Sequence, residues 1–436
     1  MEKLSKALAV GAVLLIAAGL TQGLESTTTL TASGFVSLQE GQIVSGSPYY
    51  AKPNLKTDHV WVQEMFTGIN VQTKFNPYHI VGNLALEMKI CNEYPRYLPD
   101  FGKSRRLWFY PYLHRADFVY SIGDGEKPWL NIAAGYFPFK YNDDAKNLGE
   151  YLFRTGTYPQ YIITEFDFPL ARVLGLHVNG TLFDNLKWDV LATTNIEWTA
   201  LGDLNLTAMA SYRPIPFAEI GCGVHAASII SVDTHFTTPK TPATSYKFNG
   251  ERYYYSFAGQ KVMGRVAFNP QSLFKNDIFG PQDFRLYGEA ALLGIFNYPV
   301  SEDTLTKYDD RLKRLPVMFG FNIPAFKMLD VLSLEFEWFG SRYPNDMSPV
   351  IFDNLPVPLS SMHNLRTGYN PDAYSHDDWK WSLYGKRTIA GRFFIVGQVA
   401  RDHMRWYKMN FNEQDWQEAL RSPKNLYWTI KTGYTF

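Results

Sequence analysis

The sequence contains very little cysteine. Cys91 and Cys222 are its only thiols in 436 residues. No CxxC or HExxH spacing occurs among the cysteines and the nine histidines, which excludes zinc centres of those types. A disulfide scaffold is also excluded, because two cysteines form at most one bridge. One bridge and two separate buried thiols both stay open.

The chain also lacks a surplus of either charge. It has 42 basic and 42 acidic residues, which gives a formal net charge of zero. Binding to DNA or RNA depends on a basic surplus that neutralises phosphates. We therefore expect no nucleic-acid partner.

Long hydrophobic runs are absent after the first 20 residues. The apolar run 7–20 follows Lys3 and Lys6 and has small residues at Gly19 and Gly23, a pattern typical of a secretory signal peptide. Its roughly 14 residues are fewer than the roughly 20 that span a bilayer as a helix, which argues against a membrane anchor. We predict a cleaved signal peptide at 1–23 and a single mature domain at 24–436. Any membrane crossing must then be made by strands.

Several segments alternate strictly between apolar and polar residues, as strands with one apolar side do. Such segments lie at 79–90, 204–212, 284–292 and 332–338. The last segment, 425–436, alternates to the end of the chain, and its apolar face carries Leu426, Trp428, Ile430, Thr432, Tyr434 and Phe436. This ending resembles the C-terminal strand of bacterial outer-membrane β-barrels. The resemblance implies that Tyr434 and Phe436 form the assembly signal.

Connections between the alternating segments fall into two lengths. Short ones lie at 74–77, 184–185, 213–216, 324–329 and 386–390, and long ones at 41–55, 92–104, 230–250, 297–314, 340–377 and 406–424. A soluble β-sandwich also alternates, but the export signal, the terminal aromatic and the unequal connections favour a membrane barrel. The sequence predicts an all-β fold, a transmembrane antiparallel up-and-down β-barrel. It would have about 16 strands (14–18), short periplasmic turns and long extracellular loops.

Counting strand directions from both ends of the chain identifies one oversized loop. The two counts agree only if the segment 161–168 is not a spanning strand, which merges 138–171 into one loop of about 30 residues. This arrangement resembles the porins, in which the third external loop commonly folds into the lumen and narrows the channel. The charges that would set the field of such a constriction are Asp143, Asp144, Lys146, Glu150 and Arg154. The alternative is a loop on the extracellular rim whose charges are merely solvated.

The less apolar face of each strand is predicted to line the lumen, because Lys or Arg facing lipid at mid-depth costs roughly 2–4 kcal/mol. The charged side chains placed inward are Glu87, Lys89, Arg115, Asp117, Lys261, Arg265, Arg285, Glu289, Glu335 and Glu337. Five are basic and five are acidic, so we expect no strong ion selectivity. Some of them would instead form structural ion pairs, such as Arg115 with Asp117 and Arg285 with Glu289.

Aromatic residues recur with period two at Trp108, Tyr110 and Tyr112. Rings at strand ends usually form a girdle at the membrane interface, and we expect that placement here. The alternative is that such rings face the lumen and offer stacking surfaces to sugars.

The resemblance to porins implies both a function and partners. We expect passive diffusion of small hydrophilic solutes or ions through the outer membrane of a Gram-negative-type cell. The implied partners are outer-membrane lipid, the barrel-assembly machinery, the diffusing solutes and further copies in a homotrimer. We expect no enzymatic activity, no catalytic residue, no cofactor and no metal.

Two other functions stay open. A non-conducting barrel would act as a structural, adhesion or binding protein through its long loops, of which 340–377 is the longest. An outer-membrane hydrolase would need a catalytic site, and Ser375, His376, Asp377 and Asp378 are consecutive in the sequence. Sequence neighbours rarely align as a triad, because the fold must supply the geometry. The pair Asp143 and Asp144 lacks the ligand spacing of a calcium loop, which argues against a metal site.

Overall fold

The computed structural model describes most of the chain from residue 28 onwards. The described residues are 28–46, 58–76, 79–92, 107–124, 127–153, 171–194, 196, 202–230, 232, 244–248, 251–255, 259–273, 278–293, 295, 315–338, 379–404, 420 and 422–436. The predicted signal peptide lies outside them and stays a prediction. In the described part, no helix is long and apolar enough to cross a bilayer.

The described residues form strands joined by turns and loops, with a short 3-10 helix at Pro270–Leu273. The strands of the first half are β1 (Thr28–Ser45), β2 (Val60–Phe75), β3 (Ile80–Asn92), β4 (Leu107–Asp124), β5 (Lys127–Phe139), β6 (Ala171–Leu182), β7 (Leu186–Thr194), β8 (Leu204–Ile215) and β9 (Ala218–Ile230). Those of the second half are β10 (Thr244–Phe248), β11 (Glu251–Tyr255), β12 (Gly259–Phe268), β13 (Leu286–Leu292), β14 (Val317–Asn322), β15 (Val331–Trp338), β16 (Trp379–Ile389), β17 (Phe393–Arg401) and β18 (Leu426–Thr435).

Sixteen of these strands form one closed antiparallel barrel. Neighbours in the barrel follow chain order except that β12 pairs with β9, because β10 and β11 form a separate two-stranded sheet. β5 pairs directly with β6, in agreement with the oversized loop between them. The segment 161–168 itself lies outside the described residues. The predicted barrel class and strand number are confirmed.

The alternation of the sequence becomes the two faces of the barrel wall. On β18, Ile430 and Tyr434 are exposed on the outer face, while Tyr427 and Thr429 are buried inside. Glu40 on β1 departs from the apolar outer face and is exposed there, where it accepts a 3.4 Å hydrogen bond from Gln63 Nε2 on β2. Cys222 on β9 carries a free, exposed thiol and so forms no bridge.

A bulge in β4 reverses the alternation in mid-strand. Opposite β3, the register shifts so that Ala85 faces Arg115 while Leu86 faces Leu113, which leaves His114 as the extra residue. Tyr112 and Arg115 therefore both point inward, and Tyr112 Oη donates a 2.5 Å hydrogen bond to Glu87. The girdle prediction is wrong for Tyr112, because a period of two cannot be continued across a bulge. The side chains of Trp108 and Tyr110 lie outside the described part of the chain.

The end of the chain closes the barrel. Phe436 and Gly34 exchange two backbone hydrogen bonds of 2.9 Å, and Thr435 N donates to Arg392 O in the short turn between β16 and β17. The ring of Phe436 covers Gly34 so closely that a Cβ at Gly34 would lie 2.5 Å from its Cζ. The terminal aromatic therefore packs on a position where only hydrogen fits.

We predict that Gly34→Val weakens barrel closure. Its side chain would collide with Phe436 and with the Gly68 carbonyl, 2.9 Å from the Cβ position, and such overpacking costs about 1–3 kcal/mol. The fraction of protein that migrates as a folded barrel in unheated detergent gels should fall. The matched control is Gly264→Val on β12, where a Cβ meets nothing within 4 Å. Equal folded fractions for the two variants would contradict the proposed role of the contact between Gly34 and Phe436.

Candidate functional site

The segment 140–153, which follows β5, folds inside the barrel. Its apolar side chains Leu148, Tyr151, Leu152 and Phe153 are almost fully buried. They belong to one cluster with inward-facing side chains of the wall, which include Phe137, Phe139, Val173, Leu191, Met209, Met263, Tyr287 and Met318. We call this segment the inner loop. Its packing makes it a fixed part of the lumen.

Two glycines allow the inner loop to approach the wall closely. Gly149 has a φ of 89°, and a Cβ there would lie 2.6 Å from Met318 Cε on β14. On β9, a Cβ at Gly223 would lie 2.7 Å from Leu152 Cδ1. A side chain at either position would push the inner loop away from the strands.

Glu335 on β15 holds the tip of the inner loop. Its two carboxylate oxygens accept hydrogen bonds from three consecutive backbone N–H groups, those of Lys146 (2.5 Å), Asn147 (2.8 Å) and Leu148 (2.8 Å). Tyr287 Oη on β13 donates a further bond of 2.7 Å to the same carboxylate. Successive N–H groups that converge on one anion form a nest, here with a wall residue as the anion.

Two further wall carboxylates hold the base of the inner loop. Glu289 on β13 accepts bonds from Tyr141 Oη (2.5 Å), Asn142 Nδ2 (2.8 Å) and Tyr151 N (2.8 Å). Glu337 on β15 accepts a 2.7 Å bond from Tyr151 Oη and also contacts His403 Nε2. These acids are therefore structural anchors with little exposure to water.

Basic wall residues bind the inner loop from the same side of the barrel. Arg285, directly before β13, forms an ion pair with Asp144, with an Nε–Oδ1 distance of 2.5 Å. Lys261 on β12 is fully buried and donates to the carbonyls of Tyr151 (3.3 Å) and Leu152 (3.4 Å). The inner loop is thus held at its backbone N–H groups by acids and at its carbonyls by a lysine.

Burial changes the proton affinities inside the inner loop. Desolvation, followed by repulsion from Glu289, raises the pKa of Glu150 to about 8. Lys140 opposes this shift, as do the backbone N–H groups of Asn142 and Tyr141, which donate to Glu150 at 2.5 and 3.4 Å. Desolvation, followed by repulsion from Lys140, lowers the pKa of Lys146 to about 8.

The wall opposite the inner loop, on β1 to β4, carries charges that reach water. Lys89 forms an ion pair with Glu64 at 2.6 Å. Arg115 forms an ion pair with Asp117, and the arginine keeps about a third of its side chain exposed. An aqueous passage between this wall and the inner loop would therefore be lined by ionised groups.

The structure gives the predicted site residues positions, with the exception of Arg154. Of the proposed constriction residues, Asp144 and Glu150 are buried in contacts of the inner loop, Asp143 is exposed, and Lys146 is half-buried; Arg154 lies outside the described residues. Arg265 pairs with Glu219 (2.5 Å), whereas Arg285 contacts Asp144 instead of the expected Glu289. The function of these residues as a constriction stays a prediction.

Sequence reasoning missed several residues that hold the inner loop. Asn147 Nδ2 donates a 2.5 Å bond to Asp402, which follows β17, and Tyr427 Oη donates 2.6 Å to the same carboxylate. Tyr287 could have been found, because it lies between Arg285 and Glu289 on one inward face. Asp402 could not, since no pattern marks it.

The alternative chemical sites are not supported by the described residues. Among them, no group of three or more histidine, cysteine, aspartate or glutamate side chains is placed to hold a metal ion. The sequence Ser375–Asp378 lies outside the described part of the chain.

We predict that Glu335→Gln releases the tip of the inner loop. An amide cannot accept three N–H bonds as a carboxylate does, and a loss of roughly 2 kcal/mol would raise the open population about 30-fold. Trypsin cleavage after Lys146 in the folded barrel, mapped by mass spectrometry, should accelerate accordingly. The control is Glu87→Gln, which removes the same charge from a lumen acid that contacts Tyr112 and His114. Similar cleavage rates in both variants would refute the anchoring role of Glu335.

Docking of the inner loop should also depend on pH. Because the pKa of Glu150 rises from 4.5 to about 8 on docking, the docked loop holds an extra proton between these values, and docking weakens as pH rises through that window. Because the pKa of Lys146 falls from 10.5 to about 8, docking strengthens again above pH 8. Protection of the 140–153 amides from hydrogen exchange, corrected for intrinsic rates, should be lowest near pH 8.

Glu150→Gln separates these two effects. The amide keeps an acceptor for Asn142 N but does not titrate, so protection should stay level from pH 5 to 8 and still rise above it. If amide protection in this variant still fell between pH 5 and 8, Glu150 would not be the group responsible.

The comparisons with known proteins support the fold. No protein-family model matches the chain, and no curated protein does. Among solved structures, OprB of Pseudomonas putida at high pH is 10% identical, covers 95% of this chain and 96% of its own, and has a TM-score of 0.50.

Two other structures match less closely. A double mutant of the Rh. blastica porin is 8% identical over 94% of this chain and 100% of its own, with a TM-score of 0.44. The outer membrane channel DcaP of Acinetobacter baumannii is 10% identical over 95% and 99%, also with 0.44. With its closed barrel of sixteen strands, the chain has the fold of a porin-like outer-membrane β-barrel.

Proposed function

We propose that this protein is an outer-membrane channel through which small hydrophilic solutes or ions diffuse passively. The observation that carries the proposal is the division of the lumen. The inner loop is packed against β5 to β9 and β12 to β15, while charged side chains on β3 and β4 are partly exposed to water. Closed barrels of 16 to 18 strands are wide enough to leave an aqueous channel.

The fixed position of the inner loop gives the channel a constant aperture. Three wall carboxylates and a hydrophobic cluster hold the loop, so solutes would pass a rigid edge made of Lys140, Asp143 and Lys146, all of which are at least partly exposed. Selection would then follow size and charge at this edge. Diffusion through such a lumen needs no covalent chemistry and no cofactor.

The outer membrane as location and a Gram-negative-type cell as source belong to this proposal. The porin-like fold and its similarity to OprB of Pseudomonas putida support them. Outer-membrane lipid, the assembly machinery and a homotrimer follow from the resemblance to porins and stay predictions.

We predict that residues 24–436, reconstituted into a planar bilayer, produce stepwise and voltage-independent openings. Glu335→Gln should give noisier steps, since its inner loop moves, whereas Glu87→Gln, which leaves the inner loop anchored, should show no more noise than the parent protein. The measurement is single-channel conductance, with folding checked beforehand by migration in unheated gels.

A silent bilayer from well-folded protein would refute the diffusion function. It would favour the non-conducting barrel that binds external partners through its long loops. Hydrolysis of lipid or peptide by the same preparation, lost in His376→Ala, would favour the enzyme instead.

A further inference from the structure

In several ion pairs of the lumen, the basic and the acidic side chain differ in their exposure to water. In three pairs the base is the more exposed partner: Lys89 and Glu64 are 11% and 2% exposed, Arg115 and Asp117 are 35% and 0%, and Arg285 and Asp144 are 22% and 5%. Each carboxylate is recessed behind its cation. An ion in the lumen would therefore meet the cation first.

A fourth cluster adds basic charge. Glu219 on β9 is 17% exposed and lies between two arginines, Arg265 at 2.5 Å and Arg213 at 2.9 Å, so the cluster has one more base than acid. On the wall of β1 to β4, Phe66 has the ammonium groups of Lys89 and Lys431 at 5.2 and 4.8 Å from its ring centre. The ring holds two cations close together, and Glu64 is paired with one of them.

Most of the lumen acids whose number equals that of these bases are buried in contacts with the inner loop and do not face the water of the lumen. Three of them, Glu289, Glu335 and Glu337, are at most 2% exposed, and their carboxylates accept hydrogen bonds from the inner loop. Among the described residues, three acids oppose the pattern: Glu87, which is 15% exposed, Asp189, which is 31% exposed beside His177, and Asp143 on the loop edge. Asp143 shares that edge with the partly exposed Lys140 and Lys146, so the edge also carries more bases than acids.

From this arrangement we infer that the channel prefers anionic solutes, although the ten wall charges predicted from the sequence are five bases and five acids. Coulomb energy falls with distance, so an ion about 4 Å from the cation nitrogen, and at most about 6.5 Å from the carboxylate oxygen paired behind it, feels the cation up to roughly 1.6 times as strongly. The preference rests on the proposed channel function and names its solute class. Small carboxylates, phosphates and chloride share the required charge.

The test is a reversal potential in a tenfold gradient of KCl at or below 0.1 M, where the Debye length is about 10 Å or more and wall charges are not screened out. The parent protein should favour chloride over potassium by roughly 2- to 5-fold. A potassium preference in a conducting protein would overturn the anion preference and leave the channel function standing. Absence of conductance from folded protein would overturn both.

A matched pair of variants separates exposure from charge count. Arg115→Gln removes the exposed partner and Asp117→Asn removes the recessed one, and each changes the net charge by one. If exposure decides, Arg115→Gln should lower the chloride preference by a clearly larger factor than Asp117→Asn raises it. Equal and opposite shifts would refute the role of exposure. Lys89→Gln, an exposed base on β3, repeats the test if either variant of the first pair fails to fold.

Discussion

Buried carboxylates on β-strands inside a barrel depend on hydrogen-bond donors from outside the strands. The backbone N–H groups of a closed barrel are already used between neighbouring strands, so the wall backbone cannot satisfy Glu289 and Glu335. A loop in irregular conformation has the opposite problem, because its N–H groups lack partners. The contact of Lys146, Asn147 and Leu148 with Glu335 solves both problems at once.

This mutual satisfaction explains why the inner loop has one position. Hydrophobic packing of Leu148 and Leu152 would tolerate small displacements, whereas three N–H groups directed at one carboxylate define both position and orientation. Tyr287 in turn fixes the carboxylate by donating to Glu335 at 2.7 Å. A rigid loop gives the proposed channel an edge that does not need to move for solutes to pass.

The same contacts determine which charges remain available to solutes. Acids that hold the inner loop are withdrawn from water, and the acids of the wall ion pairs lie behind their bases. The five acids and five bases predicted for the wall thus become an unequal charged surface. The exposed acids Glu87, Asp143 and Asp189 reduce this inequality without reversing it.

Alternation and the terminal Phe436 were enough to predict a barrel of 16 strands and an oversized loop after the fifth, because a strand has a fixed period of two and antiparallel order has a fixed parity. The inward direction of Glu335 and Arg285 followed from the same period. Their contacts with the inner loop did not follow, since Asp144 is 141 residues away from Arg285 in the chain, and Lys146 is 189 residues away from Glu335. The bulge at His114, which turned Tyr112 inward, also has no signature in the alternation. The sequence by itself determined which side chains of the regular strand segments face the lumen; only the tertiary structure decided which of them stay in water, because that depends on long-range contacts with the folded inner loop.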